Sequence, residues 1–189
     1  MRHPGHPERF LMSRALAPQM ITADDIMEFD LDCNAIDARG RNGFIERYLH
    51  GEIFRARPDV MAVAHSHSPS VIAFGLANTP MRAMYHNAAF LAAGVPVFDI
   101  RAKFGTTDIV INTAAKGAAL AEVLADKPVA LLRAHGMVAV APSLPVAVFR
   151  AIFTVTSANI QHPALALGGP LAALDAEEGR IADLVNVQT

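Results

Sequence analysis

The chain has 189 residues, 52% hydrophobic and 18% charged, with a formal net charge of −2. This is the composition of a globular chain with a large core, and it excludes a disordered polymer or a basic nucleic-acid surface. A single cysteine, Cys33, excludes an intrachain disulfide, and no apolar run approaches the roughly 20 residues that span a bilayer, so the expected setting is the reducing cytoplasm.

Residues 1–10 carry two prolines and a glycine and read as turn or extended chain. Phe10–Ser13 follows as a short strand, and residues 13–18 as a loop or helical turn. Residues 26–32 (IMEFDLD) alternate apolar with acidic side chains, the pattern of a half-buried strand. Cys33–Asp37 reads as a hairpin turn with a short return strand. Cys33 has no basic cluster or helix terminus around it and reads as a bystander.

Residues 42–57 read as an amphipathic helix capped by Asn42, with a stripe of Phe44, Ile45, Tyr48, Leu49 and Ile53. Glu46 and His50 lie four apart on the flank of that stripe. Arg57-Pro58-Asp59 ends the helix. Val60–Ala64 is a strand leading to His65 and His67, and Ser68 or Ser70 can cap a helix beginning near Val71 and ending near Gly75.

Met84-Tyr85-His86-Asn87 opens an apolar helix over 88–93, and 95–100 is a strand. An alanine-rich helix is expected over about 113–125 and a strand over 128–132. Arg133-Ala134-His135-Gly136 forms a tight corner before a return strand over 137–141. Ser143 caps a long helix running to about Gln161, with Pro145 in its first turn. Gly168-Gly169-Pro170 breaks the chain before a short last helix starting at Asp175.

The chemistry gathers at strand ends. Positions i and i+2 of a strand share a face, so His65 and His67 aim their rings the same way where their strand stops. His135, beside a glycine that permits close backbone approach, supplies a third imidazole. Three histidines and a carboxylate are the donor set of a catalytic divalent cation with an open position.

The spacing of Phe44-Ile45-Glu46, Arg57-Pro58-Asp59…His65-Ser66-His67 and Leu132-Arg133-Ala134-His135-Gly136-Met137 resembles the class II aldolase/adducin family over about residues 2–169. Arg-Ala-Arg-Pro-Asp, His-Ser-His-Ser-Pro-Ser and Tyr-His-Asn-Ala-Ala-Phe are cues to its hydroxypyridine-dicarboxylate decarboxylase-like branch. The resemblance implies a single domain over 1–189, folded as a three-layer α/β/α sandwich around a mostly antiparallel central sheet. Set against the family pattern, this stretch is expected to be without the family's N-terminal helix and Gly-Asn loop.

The resemblance further implies one divalent ion per chain (Zn, Mn or Fe) held by His65, His67, His135 and Glu46. Glu46 is a ligand or the acid–base group, and the assembly is a homotetramer. The mean hydropathy of +0.29 agrees with apolar surface buried between subunits. The implied activity is a carbon–carbon lyase, by aldol cleavage or decarboxylation, in which the metal stabilises an enolate of a small hydroxylated or carboxylated compound.

Phe44 and Ile45 stand where sugar-phosphate aldolases carry small hydroxyl residues, which disfavours a phosphorylated sugar. His86 is a further candidate acid or hydrogen-bond donor, and Arg101 and Arg133 are candidate carboxylate partners. Two other classes remain open: a non-catalytic adducin-like interaction module and an iron-dependent oxygenase-like member.

Overall fold

The computed structural model of the protein describes residues 1–188. Its strands are β1 (Arg2–His3), β2 (His6–Ser13), β3 (Ile26–Asp30), β4 (Ala62–Ser66), β5 (Val97–Phe98), β6 (Val129–Leu132) and β7 (Gly136–Ala141). Its α-helices are α1 (Arg47–Ala56), α2 (Pro69–Leu76), α3 (Arg101–Phe104), α4 (Ala114–Leu124), α5 (Leu144–Ala166) and α6 (Ala176–Gln188).

The runs VALL and GMVAVA are apolar throughout because both faces of their strands are covered; every residue of β6 and β7 is buried. These strands lie at the centre of a sheet ordered β4-β7-β6-β5, antiparallel except for the β5–β6 pair. On one face Val63, Ala130, Leu132, Val138 and Val140 pack with Leu49 and Ile53 of α1 and Leu120 and Leu124 of α4. On the other, Val129, Leu131, Met137 and Ala139 pack with α2, α5 and the 3-10 helix His86–Ala93. The layering is therefore helix, sheet, helix. Truncating Leu120, which is fully buried between α4 and the sheet, is expected to cost about 2–5 kcal/mol, read by chemical denaturation of Leu120→Ala.

The strands divide between two sheets. β1, β2 and β3 form a separate antiparallel sheet, joined to the central one through Met61, which accepts from Arg2 N and donates to Ala141 O. β2 begins at His6 rather than Phe10, because Pro4-Gly5 turns the chain and pairs His6 with His3. The guanidinium of Arg2, a buried residue, donates to the carbonyls of Phe54, Arg57 and Val60. A cation is thus placed on the C-terminal carbonyls of α1, where the helix dipole favours it.

Other boundaries also differ from the sequence reading. α1 starts at Arg47, not near Asn42, because residues 42–43 are drawn to the first sheet: Ala15 N donates to Asn42 O, and Gly43 bridges to Arg14. A Cβ on Gly43 would meet the Phe29 ring at 2.8 Å, so this approach requires glycine. β5 keeps only Val97–Phe98, its neighbour Pro96 offering a carbonyl to Leu131 but no N–H. α5 runs through Pro163 to Ala166. Its buried Gln161 ties the helix to Arg82 N and Pro80 O. No helix among the described residues is long and apolar enough to cross a membrane.

Candidate metal centre

Four side chains from three parts of the chain converge. Glu46 precedes α1, His65 lies near the end of β4, His67 just beyond it, and His135 in the β6–β7 turn. One donor atom from each falls within 4.8 Å of the others. The β4–β7 register pairs His65 with Val138, which places the β6–β7 turn beside the end of β4. Gly136 completes the approach: a Cβ there would collide with Ser66 O.

Backbone carbonyls orient two of the rings. His65 Nδ1–H donates to Met137 O and His135 Nδ1–H to Ile109 O, each at 2.8 Å. This leaves both Nε2 atoms as lone-pair donors facing inward. Each stands 2.9 Å from His67 Nε2. His67 has one Nε2 proton to give, so without a further cation at least one of these contacts sets lone pair against lone pair. The carboxylate closes the ring of donors, with Glu46 Oε1 3.2 Å from His135 Nε2 and Oε2 3.4 Å from His65 Nε2. Three imidazole nitrogens and one carboxylate fit a divalent first-row cation.

The electrostatics are those of a polarised cluster. Burial raises the Glu46 pKa, but in the metal-free cluster the protonated rings of His135 and His65 hydrogen-bond to it, outweigh burial and hold the carboxyl well below the usual range. Glu46 correspondingly raises His135. Burial and the neighbouring rings lower His67. His50, one turn beyond Glu46, is pushed down to about 3, mainly by burial and then by the chain's amino terminus. Side-chain exposure is 8% at His135 and 57% at His67, so the cluster opens to solvent on the His67 side.

Other candidates lie elsewhere. His86 is exposed, its ring faces Asn87 Oδ1 at 3.3 Å, and its 3-10 helix packs on the sheet face opposite α1. The structure therefore does not bring His86 to the cluster. Arg101 forks onto Asp99 and Arg133 lies 3.6 Å from the same carboxylate, so both cations already have an anion. Arg57 pairs with Asp59 and donates to Ala125 O, which makes the Arg-Pro-Asp segment a brace below β4. Cys33 is buried, and burial pushes its thiol up to about 12, so it is inert. Sequence reasoning missed the segment 107–111, whose Ile109 O and Ile111 N hold His135 and Glu46.

Residues 2–162 match the Class II Aldolase and Adducin N-terminal domain family. The chain belongs to the class II aldolase and adducin family. Within it, the chain is 35% identical to the decarboxylase tropJ of Talaromyces stipitatus, the alignment covering 93% of this chain and 71% of that protein. It is 32% identical to a 3,4-dihydroxyphthalate decarboxylase of Arthrobacter keyseri, over 96% of this chain and 78% of the relative. Its fold is similar to that of an L-fuculose 1-phosphate aldolase from Glaciozyma antarctica, with a TM-score of 0.77 at 22% identity, over 96% of this chain and 68% of that one. A class II aldolase-like α/β fold is thus shared at low identity.

Proposed function

We propose that this single-domain chain is a divalent-metal-dependent decarboxylase of small hydroxylated aromatic carboxylates, working as a cytoplasmic homo-oligomer. The observation that carries the reading is the convergence of Glu46, His65, His67 and His135 on one point open to solvent. The two decarboxylases among the relatives support the reaction, and the 3,4-dihydroxyphthalate decarboxylase supports the substrate class. Phe44 and Ile45, which precede Glu46, offer no side-chain hydrogen bond to a phosphate, and this disfavours a phosphorylated sugar. Exposed Leu144, Val148, Ile152 and Ile160 along one face of α5 support self-association.

His65, His67, His135 and Glu46 would hold the cation, with Zn, Mn or Fe as the candidates. When bound, it supplies Lewis-acid stabilisation of the negative charge that builds on substrate oxygen. The residues of the chain do the rest. His65 and His135, locked by their carbonyl partners, keep the donors aimed inward without reorganisation. Glu46 Oε1 faces Ile111 N at 3.4 Å. Oε2 makes no backbone contact among the described residues and faces His65 Nε2 at 3.4 Å, so it is the oxygen that would take up a proton from the substrate and return it. In the reaction the bond from ring carbon to carboxylate breaks, carbon dioxide leaves, and the electron pair on carbon takes a proton from Glu46 or water. An adducin-like interaction role has no need of four inward-facing donors.

The test is carbon dioxide release from 3,4-dihydroxyphthalate by the metal-loaded protein, with L-fuculose 1-phosphate as the competing aldolase substrate. Release from the first and no cleavage of the second is the expected result. Glu46→Gln should retain part of the bound metal and lose turnover by about 10²–10⁴-fold. Cleavage of the sugar phosphate alone would reverse the assignment.

A further inference from the structure

The segment between α3 and α4 touches two of the four converging side chains through its backbone. Ile109 O accepts from His135 Nδ1 at 2.8 Å, and Ile111 N donates to Glu46 Oε1 at 3.4 Å. The segment contributes only backbone atoms to these contacts, so their geometry rests on whatever fixes that backbone. The backbone is not at ease: Ile109 has φ +57°, a left-handed conformation that a β-branched residue rarely adopts.

What fixes it is Lys116. This side chain is 13% exposed, and its ammonium spends all three protons on the same short segment. Nζ donates to Asp108 Oδ1 at 2.9 Å, Val110 O at 3.0 Å and Asn112 Oδ1 at 2.9 Å. Asn112 closes the knot by donating to Asp108 Oδ2 at 2.8 Å. Thr107 Oγ1 accepts from Ile109 N, the strained residue itself. Below, fully buried Ile111 sinks into the core with Leu120 and Leu124.

The placement of the lysine makes a helix-stabilising role a poor account. Lys116 lies in the first turn of α4, where Thr113 Oγ1 accepts its backbone N–H. A cation there opposes the helix dipole. Its three bonds go to the preceding segment, not to α4.

We propose that Lys116 is a positioning residue for the metal centre: with Asp108 and Asn112 it locks Ile109 O and Ile111 N in place and thereby sets the aim of His135 and Glu46. This rests on the metal-centre reading above. Lys116 touches no donor of the centre itself. It acts through the backbone as a carboxylate or carbonyl partner acts on a ligating histidine, with similar consequences when removed.

The test separates this proposal from the reading it rests on. The parent protein, stripped with a chelator, is titrated with Zn²⁺ and with Co²⁺. Failure of the parent to take up either ion overturns the metal centre and the proposal together. With the parent binding, Lys116→Met should lose about 10–100-fold in affinity and shift the visible Co²⁺ bands. In the metal-free protein the ring ¹⁵N signals of His135 should lose their fixed Nδ1–H tautomer, while the melting temperature stays near that of the parent. A merely structural lysine would lower the melting temperature and leave the Co²⁺ bands and the tautomer as they are, and that result overturns the proposal. Should Lys116→Met fail to fold, Asp108→Asn, whose side chain is half exposed, decides it. A smaller affinity loss in the same direction supports the knot, and parent-like affinity refutes it.

Discussion

His135→Ala is expected to abolish stoichiometric metal binding while leaving a folded protein. A structural zinc site is worth roughly 10–16 kcal/mol, so each of four donors carries about 3–4 kcal/mol, or about 10²–10³-fold in affinity. His135 should lie at the top of that range. It is the least exposed of the three rings, its Nε2 stands 3.2 Å from Glu46 and 2.9 Å from His67, and its Nδ1 proton is committed to Ile109 O. Its loss removes a donor and also leaves Ile109 O without its partner. His65→Ala should follow closely, because Met137 O locks that ring in the same manner. His67 is 57% exposed and should cost least. Elemental analysis of the purified variants beside the parent, with circular dichroism as the check on folding, measures the order. Parent-like metal content in His135→Ala would remove the site assignment.

Much of this centre was legible in the sequence because it rests on short-range rules. His65 and His67 share a face since a strand alternates with period two, and their strand is visible as an apolar run stopped by Ser-Pro-Ser. His135 stands out because Gly136 follows it between two apolar strands, and the cap at Ser143 is likewise a local pattern, with Ser143 Oγ accepting from Val146 N.

Glu46 was found but misplaced. Its position ahead of α1 depends on Gly43 fitting against Phe29 and on the Arg14–Gly43 bridge, contacts that helical periodicity does not register. The burial of Arg2 under the end of α1 depends on pairing across more than fifty residues. The segment 107–111 was opaque for a different reason. It acts through a carbonyl and an amide, which every residue but proline possesses, so no residue type marks it. His86 shows the opposite limit of local reading: its setting beside Tyr85 says nothing of which sheet face its 3-10 helix covers, and within this chain that is the face opposite α1.

Gly136→Ala is the substitution expected to damage fold and site together. A methyl group at Gly136 would overlap Ser66 O and press on Ser66 C at 3.0 Å and His67 Cα at 3.2 Å. All three are backbone atoms, so no side chain can rotate away; β4 and β7 must separate at the end that carries the histidines. Overpacking of this rigid kind is expected to cost about 3 kcal/mol or more, a large share of the roughly 5–15 kcal/mol that holds a domain folded.

The same separation would stretch the bond from His65 Nδ1 to Met137 O, one residue along β7. Metal affinity should therefore fall along with the denaturation midpoint. Gly5→Ala is the control: its added Cβ would meet only the ring of His3, at 3.6 Å, and it should leave both quantities near the parent values. Denaturant titration and metal titration of the two variants read these outcomes independently. If Gly136→Ala kept both the parent midpoint and the parent affinity, the close passage of β7 against β4 could not be what brings His135 to His65 and His67.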